Sequence, residues 1–491
     1  MKSLAFQPEL RPQLPKVIAP QDYQDFRASL LEMDRILRES GIEDAFVRRH
    51  LEAQAETMSE RKLRFRSKVI RSALRHSILL ALSKLAVRTF AERLPDSRLY
   101  QWFTSSEQLD AVRPISKSTV DRFEKMFDDE EVAQLIHDLN RSAMNAVSAP
   151  ALLLREKPLD INSIYADTTC VEANIHFPVD WVLLRDAVRT LTQSVTLIRS
   201  QGLVNRMSPP RQFMKQMNQL SISMTHAWRT KGAKKTRKKV LRKMKKLAKT
   251  VHLHAERHRD LLLANREKTD WSEAEAAQVL GRIKNVLDQL PSAIHQAHER
   301  LIGERPLPNS KKTFSLYDPD VRVIVRGKAG AAVEFGNGLY LAEQQDGLIV
   351  DWKFMQGQPP SDSRLVKASL ERIKTNYAMP TSFAADRGFH SKPNSAYLEA
   401  IGVFNAICPK SVPELRERLK DKHFSQMQTR RASTEARVAI LENGYIGSPL
   451  RSKGFKNRHT RIEWCILTHN LWKLAVMAMR QRRKLLATQA A

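Results

Sequence analysis

The segment Thr381-Ser-Phe-Ala-Ala-Asp-Arg-Gly-Phe-His-Ser391 contains a short apolar run that is followed directly by an acidic residue. The run predicts a buried strand over Ser382–Ala385, after which Asp386 stands at the strand end. Gly388 allows a sharp turn after the acid, and Phe389 can anchor that turn in a core. Because α/β sheets present functional side chains at the carboxyl ends of their strands, Asp386 is the first candidate for a catalytic carboxylate.

Strands and helices alternate on both sides of this segment. A β-prone run over 159–167 ends at Asp167, which makes this residue the second candidate carboxylate. Alternation of strands with helices predicts an α/β core with a mixed sheet flanked by helices. Further strands are predicted over 321–327, 338–342, 347–354 and 403–407, and helices over 363–374 and 394–400.

The rest of the chain has mainly helical periodicity, and a length of 491 residues suggests about three domains. Residues 96–103 and 116–125 form either a helix-turn-helix that binds DNA or two ordinary packed helices. We predict a helical N-terminal domain over 1–150, a core in two parts over 151–182 and 311–475, a helical basic insertion over 183–310, and a basic C-terminal tail over 476–491.

The charge balance points to a polyanionic partner. Lys and Arg number 82 against 53 Asp and Glu, so the formal net charge is +29. A basic field of this size favours nucleic acid. No apolar run reaches the roughly 18 residues of a membrane span, and residues 1–9 lack the features of a secretory signal. We therefore expect a cytoplasmic protein without a membrane partner, and three buried cysteines that neither pair nor bind zinc.

Residues 231–249 carry many cations and no acid. Apolar residues recur among them at helical spacing, which predicts a basic amphipathic helix. A solvated charged face normally mixes signs, so phosphate contact is the favoured interpretation and a solvated face the alternative. The cations chosen as candidate DNA contacts are Lys234, Lys235, Arg237, Lys238, Lys239, Arg242 and Lys243.

A second basic segment, over 450–461, combines cations with a flexible glycine. It is predicted to be a loop that contacts DNA, and the alternative is a solubilising surface loop. Its candidate DNA contacts are Arg451, Lys453, Lys456 and Arg458.

Three blocks of sequence resemble a known family. The first is Ala166-Asp-Thr-Thr169 with Val171-Glu172; the second continues from Asp386 through Asn394, Leu398, Gly402-Val403 and Ile407-Cys-Pro-Lys410; the third is Arg430-Arg-Ala-Ser-Thr-Glu435 with Leu441. In this order they resemble the bacterial insertion-sequence DDE transposases, a supergroup with a DxGF motif in the second block. The resemblance implies an RNase H-like catalytic core and transposition of DNA.

The resemblance also implies a set of roles. Asp167, Asp386 and Glu435 would hold two divalent cations, Mg²⁺ or Mn²⁺, because these ions prefer oxygen ligands. Asp167 would bridge both ions, Asp386 would hold the ion that activates water or a 3′-hydroxyl, and Glu435 would complete the cage. Arg431 would contact the DNA backbone. The expected partners are double-stranded DNA, as element ends and as target, and further copies of the chain in a synaptic complex.

The third block departs from the family pattern. Relatives often have a tyrosine seven residues before the glutamate and a lysine seven after it, whereas this chain has Gln428 and Glu442. Glu442 and Glu463 are therefore rivals of Glu435 for the third carboxylate. Glu435 is preferred because it alone has basic neighbours one helical turn away. The alternative functions are a non-catalytic DNA-binding protein and an RNase H-like nuclease that cleaves without joining.

Overall fold

The computed structural model describes residues 13–106, 112, 114–328 and 331–490. These residues divide into two compact units. The core unit comprises the chain up to Val171, Gly338–Ser452 and the chain from Lys456 onward; the helical unit comprises Glu172–Asn337 and Lys453–Phe455. The N-terminal segment in which no secretory signal was found lies outside the described residues.

The core unit begins with helices only. They are α1 Gln21–Glu39, α2 Ile42–Ala55, α3 Glu60–Ser83, α4 Val87–Arg93, α5 Arg98–Thr104, α6 Lys117–Glu124, α7 Asp129–Met144 and α8 Ala149–Leu153. The helical character predicted for residues 1–150 is confirmed for their described part, apart from an isolated bridge at Val112. Arg75 of α3 is fully buried and lies 2.6 Å from both Asp34 and Glu43, so an ion-pair network joins the first three helices.

A mixed sheet of six strands lies at the centre of the predicted core. Its order is β2-β3-β1-β5-β6, and β4 pairs with β3. β1 runs parallel to β5, and β5 runs parallel to β6, whereas β3 and β4 form an antiparallel hairpin. The strands are β1 Ser163–Glu172, β2 Arg322–Lys328, β3 Ala331–Gln344, β4 Ile349–Phe354, β5 Ser382–Ala385 and β6 Phe404–Ile407.

Helices cover both faces of the parallel strands. The apolar residues of one face, with Phe389 among them, pack against buried residues of α13 and α14. Tyr165, Ala384 and Ala406 point to the other face, where they pack against Phe424 and Met427 of α16. This confirms the expected mixed sheet between helices. The helices of this part are α13 Val366–Asn376, α14 Lys392–Ala400, α15 Val412–Arg418 and α16 Lys422–Leu441.

The C-terminal part of the chain differs from the prediction. A single helix, α17 Phe455–Ala490, replaces both the second half of the predicted basic loop and the predicted basic tail. Trp464 is buried and donates its indole N–H to the Glu124 carbonyl at 3.0 Å. Near the helix end, Arg482 lies 2.6 Å from Glu32. The helix continues because its apolar and ionic contacts with the N-terminal helices stabilise it.

The helical unit has its own core. It contains α9 Asp180–Ser200, α10 Pro210–Arg229, α11 Lys234–Ala264 and α12 Glu273–His298, together with β2 and the first part of β3. The four helices bury a continuous apolar cluster that includes Leu191, Met244 and Ile283. None of the described helices combines the length and the apolar character that crossing a bilayer requires.

Candidate functional site

Asp167 and Asp386 occupy equivalent positions on adjacent parallel strands. Ala166 and Ala385 are the last residues of β1 and β5 that pair with each other, and the two aspartates follow them directly. Neighbouring strands are roughly 4.8 Å apart, so the two carboxylates begin from neighbouring backbone positions. Side chains alternate along a strand, which places Asp167 on the same face as Tyr165, the face that α16 covers.

The prediction that the first strand ends at Asp167 is wrong. β1 starts at Ser163 and continues to Glu172. Asp167 instead marks the point where pairing with β5 stops, because β5 ends at Ala385. The predicted end of β5 before Asp386 is confirmed.

Backbone N–H groups hold both aspartates. The Thr168 N–H donates to Asp167 Oδ1 at 2.7 Å, and the Gly388 N–H donates to Asp386 Oδ1 at 2.8 Å. Burial raises the pKa of Asp167 to about 6, and the negative charges of Asp386 and Glu435 act in the same direction. The Thr168 N–H and the Arg431 guanidinium oppose this rise in pKa. The three carboxylates are therefore close enough to interact, and a cation among them would relieve their repulsion.

Glu435 lies on α16 and is largely exposed, with 66% of its side chain accessible. Arg431 Nη1 is 3.4 Å from Glu435 Oε1, and Arg431 Nε donates to the Gln428 side chain at 3.2 Å. Gln428 Nε2 donates to the Ala385 carbonyl at 3.3 Å. These bonds connect the face of α16 that carries Glu435 to the end of the strand that precedes Asp386.

Two contacts show how α16 and the turn that follows it lie along β1. The Tyr165 hydroxyl donates to Met427 Sδ at 3.2 Å, and the Thr169 hydroxyl donates to Glu442. Asp167 lies midway between the two strand residues, and Glu435 lies about midway between the two helix residues. Glu435 therefore lies on α16 between these two contacts with β1.

The two rivals for the third carboxylate have other partners. Glu442 opens a π-helical turn after α16 and accepts the Thr169 hydroxyl, two residues beyond Asp167 on the same strand. Glu463 is buried and accepts the Trp352 indole N–H at 2.7 Å. Glu463 Oε1 also lies 3.2 Å from His459 Nε2, so this one oxygen takes part in both contacts.

Sequence reasoning missed a fourth carboxylate, Asp362, which opens the 3₁₀ turn before α13. Its Oδ1 accepts the Thr168 hydroxyl at 3.0 Å. A Cβ added at Gly388 would lie 2.9 Å from Asp362 Oδ2 and 3.0 Å from Asp386 Oδ1. Gly388 is therefore needed for space, since its φ is outside the left-handed region. The only sequence signal for Asp362 is its place between two serines before a helix, a common capping pattern.

The chemistry of these donors fits a divalent cation of the magnesium class, which prefers carboxylate oxygens. Within the residues that the structure describes, however, no three His, Cys, Asp or Glu side chains are grouped closely enough to hold a metal ion. Glu435 lies beside Arg431 and is exposed to solvent, which accounts for the absence of a close group of three carboxylates among the described residues. Asp167 and Asp386 are thus the better-placed of the three candidates.

The basic helix α11 divides into two sets of cations. Lys234 and Lys238 each lie 2.6 Å from Glu304, and the Arg237 guanidinium stacks over the Trp228 ring at 4.9 Å. The other candidates are exposed and follow one another at helical spacing. We call this second set the α11 stripe; it consists of Lys235, Lys239, Arg242 and Lys243, extended by Lys246 and Lys249.

The second basic segment is only partly suited to DNA contact. Arg451, Lys453 and Lys456 have exposed side chains. Arg458 is fully buried, so its prediction as a DNA contact is wrong. The reason is that Arg458 lies in the first turn of α17 on the side that packs inward, where the sequence had predicted a loop.

The two short helices considered as a helix-turn-helix are present as α5 and α6. Residues 105–116 separate them, whereas the motif has a turn of roughly three or four residues. Part of this link lies outside the described residues. α6 packs mainly on α3 and α4, and α5 packs on α3 and α1. Both helices are thus built into the helical layer through α3, and each has a further partner of its own.

Comparisons of the chain with protein-family models, with curated proteins and with solved structures found no match. The residues and their geometry are therefore the basis of the functional proposal.

Proposed function

We propose that the chain is a DDE-type DNA transposase. It binds the ends of an insertion sequence, cleaves DNA strands with the help of divalent cations and joins a 3′-hydroxyl to target DNA. One observation carries the proposal: Asp167 and Asp386 occupy equivalent positions on adjacent parallel strands, and the charge of Glu435 acts on Asp167. An architectural protein gains nothing from anions gathered where phosphate would bind.

The strand arrangement supports the RNase H-like core that the resemblance implies. In the order β4-β3-β1-β5-β6, the antiparallel hairpin of β4 and β3 lies beside three parallel strands, β1, β5 and β6. Asp167 lies on the central strand of this order, and Asp386 follows its neighbour. The third carboxylate comes from a helix that packs across the same strands.

The proposed mechanism needs no protein nucleophile. Two divalent cations, held by Asp167, Asp386 and Glu435, would supply an activated water or 3′-hydroxyl and stabilise the leaving oxygen. The Thr168 and Gly388 N–H groups orient the two aspartates. Arg431 stands beside Glu435 and can contact a phosphate that enters the site.

DNA outside the site would be held by phosphate contacts. The α11 stripe offers six exposed cations on one helix, and no carboxylate of the described residues lies within ion-pair distance of any of them. Arg451, Lys453 and Lys456 are further candidates. Such contacts give affinity and register without reading bases. We expect homo-oligomers to assemble on paired element ends, as the family resemblance implies.

The test combines the full chain with Mg²⁺ or Mn²⁺, labelled DNA from the regions that flank the gene, and a target plasmid. We expect cation-dependent nicking followed by joining, and loss of both in Asp167→Asn and Asp386→Asn. Asp288→Asn, which removes an exposed charge on α12, is the matched control and should retain activity. Cleavage without joining would indicate the nuclease. Binding that persists in Asp386→Asn, with no cleavage by the unaltered chain, would indicate the architectural protein.

A further inference from the structure

Two backbone N–H groups fix the orientation of the paired aspartates. The Thr168 N–H binds Asp167 Oδ1 and the Gly388 N–H binds Asp386 Oδ1, at 2.7 and 2.8 Å. Each donor lies within two residues of the aspartate that it holds. The relative position of the two carboxylates therefore depends on how these donor residues are held against each other.

Asp362 bonds to one donor residue and lies beside the other. One oxygen, Oδ1, accepts the Thr168 hydroxyl at 3.0 Å. The other oxygen, Oδ2, faces Gly388, where a Cβ would approach it to 2.9 Å. The same added atom would be 3.0 Å from Asp386 Oδ1, so the two carboxylate oxygens lie within about 6 Å of each other. One side chain thus bonds to the residue that donates to Asp167 and lies beside the residue that donates to Asp386.

The segment that carries Asp362 is itself fixed against the Gly388 turn. The buried Asn394 amide donates to the Ser363 carbonyl and to the Phe389 carbonyl, at 2.8 Å each. These carbonyls belong to the residues that follow Asp362 and Gly388 in the chain. On the other side, Val366 of α13 is fully buried in the core below the sheet. Asp362 therefore has little freedom to move relative to either aspartate.

We propose that Asp362 is a positioning residue of the cation site, which sets the spacing of Asp167 and Asp386 through Thr168 and Gly388. The inference rests on the proposed function to the extent that the two aspartates bind divalent cations. Partners of metal ligands commonly change metal affinity by roughly 10- to 100-fold when they are removed. If Asp362 positions the aspartates, it needs only an oxygen that accepts the Thr168 hydroxyl. If Asp362 binds the cation itself, it needs its negative charge.

The two roles predict different results for matched variants. Asp362→Asn keeps an acceptor for Thr168 and removes the charge, whereas Asp362→Ala removes both. Thr168→Val removes the hydroxyl and keeps the shape of the side chain, whereas Thr168→Ser keeps the hydroxyl. Gly388→Ala would push the Asp362 and Asp386 oxygens apart. Because Asp362 and Thr168 act through one hydrogen bond, the variant that combines Asp362→Ala with Thr168→Val should bind Mn²⁺ no more weakly than Asp362→Ala alone.

The experiment measures Mn²⁺ binding to the full chain by the electron paramagnetic resonance signal of free Mn²⁺. We expect affinity to fall roughly 10-fold or more in Asp362→Ala, Thr168→Val and Gly388→Ala, and to stay within about threefold in Asp362→Asn and Thr168→Ser. Asp288→Asn controls for loss of charge. Thermal unfolding checks that each variant folds; if Asp362→Ala does not, the Thr168→Val and Thr168→Ser pair decides.

Three outcomes would overturn the inference. The first is an Asp362→Asn variant whose Mn²⁺ affinity falls as far as that of Asp386→Asn, which would make Asp362 a ligand. The second is unchanged Mn²⁺ affinity in Asp362→Ala and Thr168→Val. The third is an unaltered chain that binds no Mn²⁺. Mn²⁺ binding requires no DNA, so the positioning role can be tested even if the proposed function fails. A chain that shows the expected binding pattern but never cuts element ends would retain the positioning role and lose the transposase assignment.

Discussion

Arg430 Nη1 lies 2.9 Å from Glu343 Oε1, and its guanidinium packs over the Tyr165 ring at 4.6 Å. Glu343 is buried on β3 and also accepts from Arg437 Nε at 2.8 Å and from the Thr434 hydroxyl at 2.9 Å. Three residues of α16 therefore converge on one carboxylate. The helix that carries Glu435 is fixed to the sheet from the side opposite to solvent.

Removing the charge of Glu343 should loosen this helix. Glu343→Gln leaves two half-buried arginines without their common anion, and we expect the free energy of unfolding to fall by about 3 kcal/mol. Urea unfolding measures the change. Glu417→Gln, which breaks an exposed pair with Lys420, is the control and should cost less than about 0.5 kcal/mol. Equal stability of the two variants would contradict the anchoring role.

The identity of the third carboxylate can be tested with two isosteric changes. Because the charge of Glu435 acts on Asp167, Glu435→Gln should slow single-turnover cleavage by at least about 100-fold. Glu442→Gln retains an acceptor for the Thr169 hydroxyl and should slow cleavage by less than about 10-fold. The reverse ranking would transfer the role to Glu442.

The α11 stripe should determine the salt dependence of DNA binding. Replacing Lys235, Lys239 and Lys243 by glutamine removes three phosphate contacts, so the slope of log affinity against log salt should become shallower by roughly 2.7. Fluorescence anisotropy over a range of salt concentrations measures the slope. The control replaces three exposed lysines elsewhere in the same unit, namely Lys215, Lys268 and Lys284. An equal effect of both triple variants would show that only overall charge matters.

His459 should make stability depend on pH. Although burial lowers the pKa of His459, its bonds to Asp129 at 2.9 Å and Glu463 at 3.2 Å prevail and raise it from 6.5 to about 9. Protonated His459 therefore stabilises the fold fully below pH 6.5, and this contribution, on the order of 2 kcal/mol, is lost as the pH rises through 9.

The comparison is with His459→Gln, which cannot be protonated. Denaturant unfolding between pH 6 and about 10 should show the stability difference between the unaltered chain and His459→Gln shrinking as the pH rises. A difference that stays constant with pH would mean that His459 is neutral in the folded protein.

The sequence predicted those parts of the fold that local pattern determines. β5 was predicted with both of its ends, because Ser382 and the three apolar residues after it lie between residues that end strands. β1 was misplaced, since Thr168 to Glu172 continue a β-prone run whose extent depends on neighbouring strands. The candidate site follows from the same two strands, so its aspartates could be found from local signals.

Other features depend on contacts between distant parts of the chain. The bond from Thr168 to Asp362 joins residues 194 positions apart, and nothing near Asp362 in the sequence indicates it. Gly454 and its neighbouring cations predict a loop, yet α17 starts at Phe455, and its residues Trp464 and Arg482 contact the N-terminal helices. Burial of Arg458 follows from that packing, and composition gives no sign of it.

Buried arginines change what the net charge of this chain means. Arg75 is neutralised by Asp34 and Glu43 inside the helical layer, and Arg461 by Glu124. Cations of this kind act as cross-links within the protein, and their field is cancelled before it reaches solvent. The potential felt by an approaching polyanion comes from the unpaired surface cations, and mutations of the two groups should have separate consequences, one for folding and one for the rate of encounter.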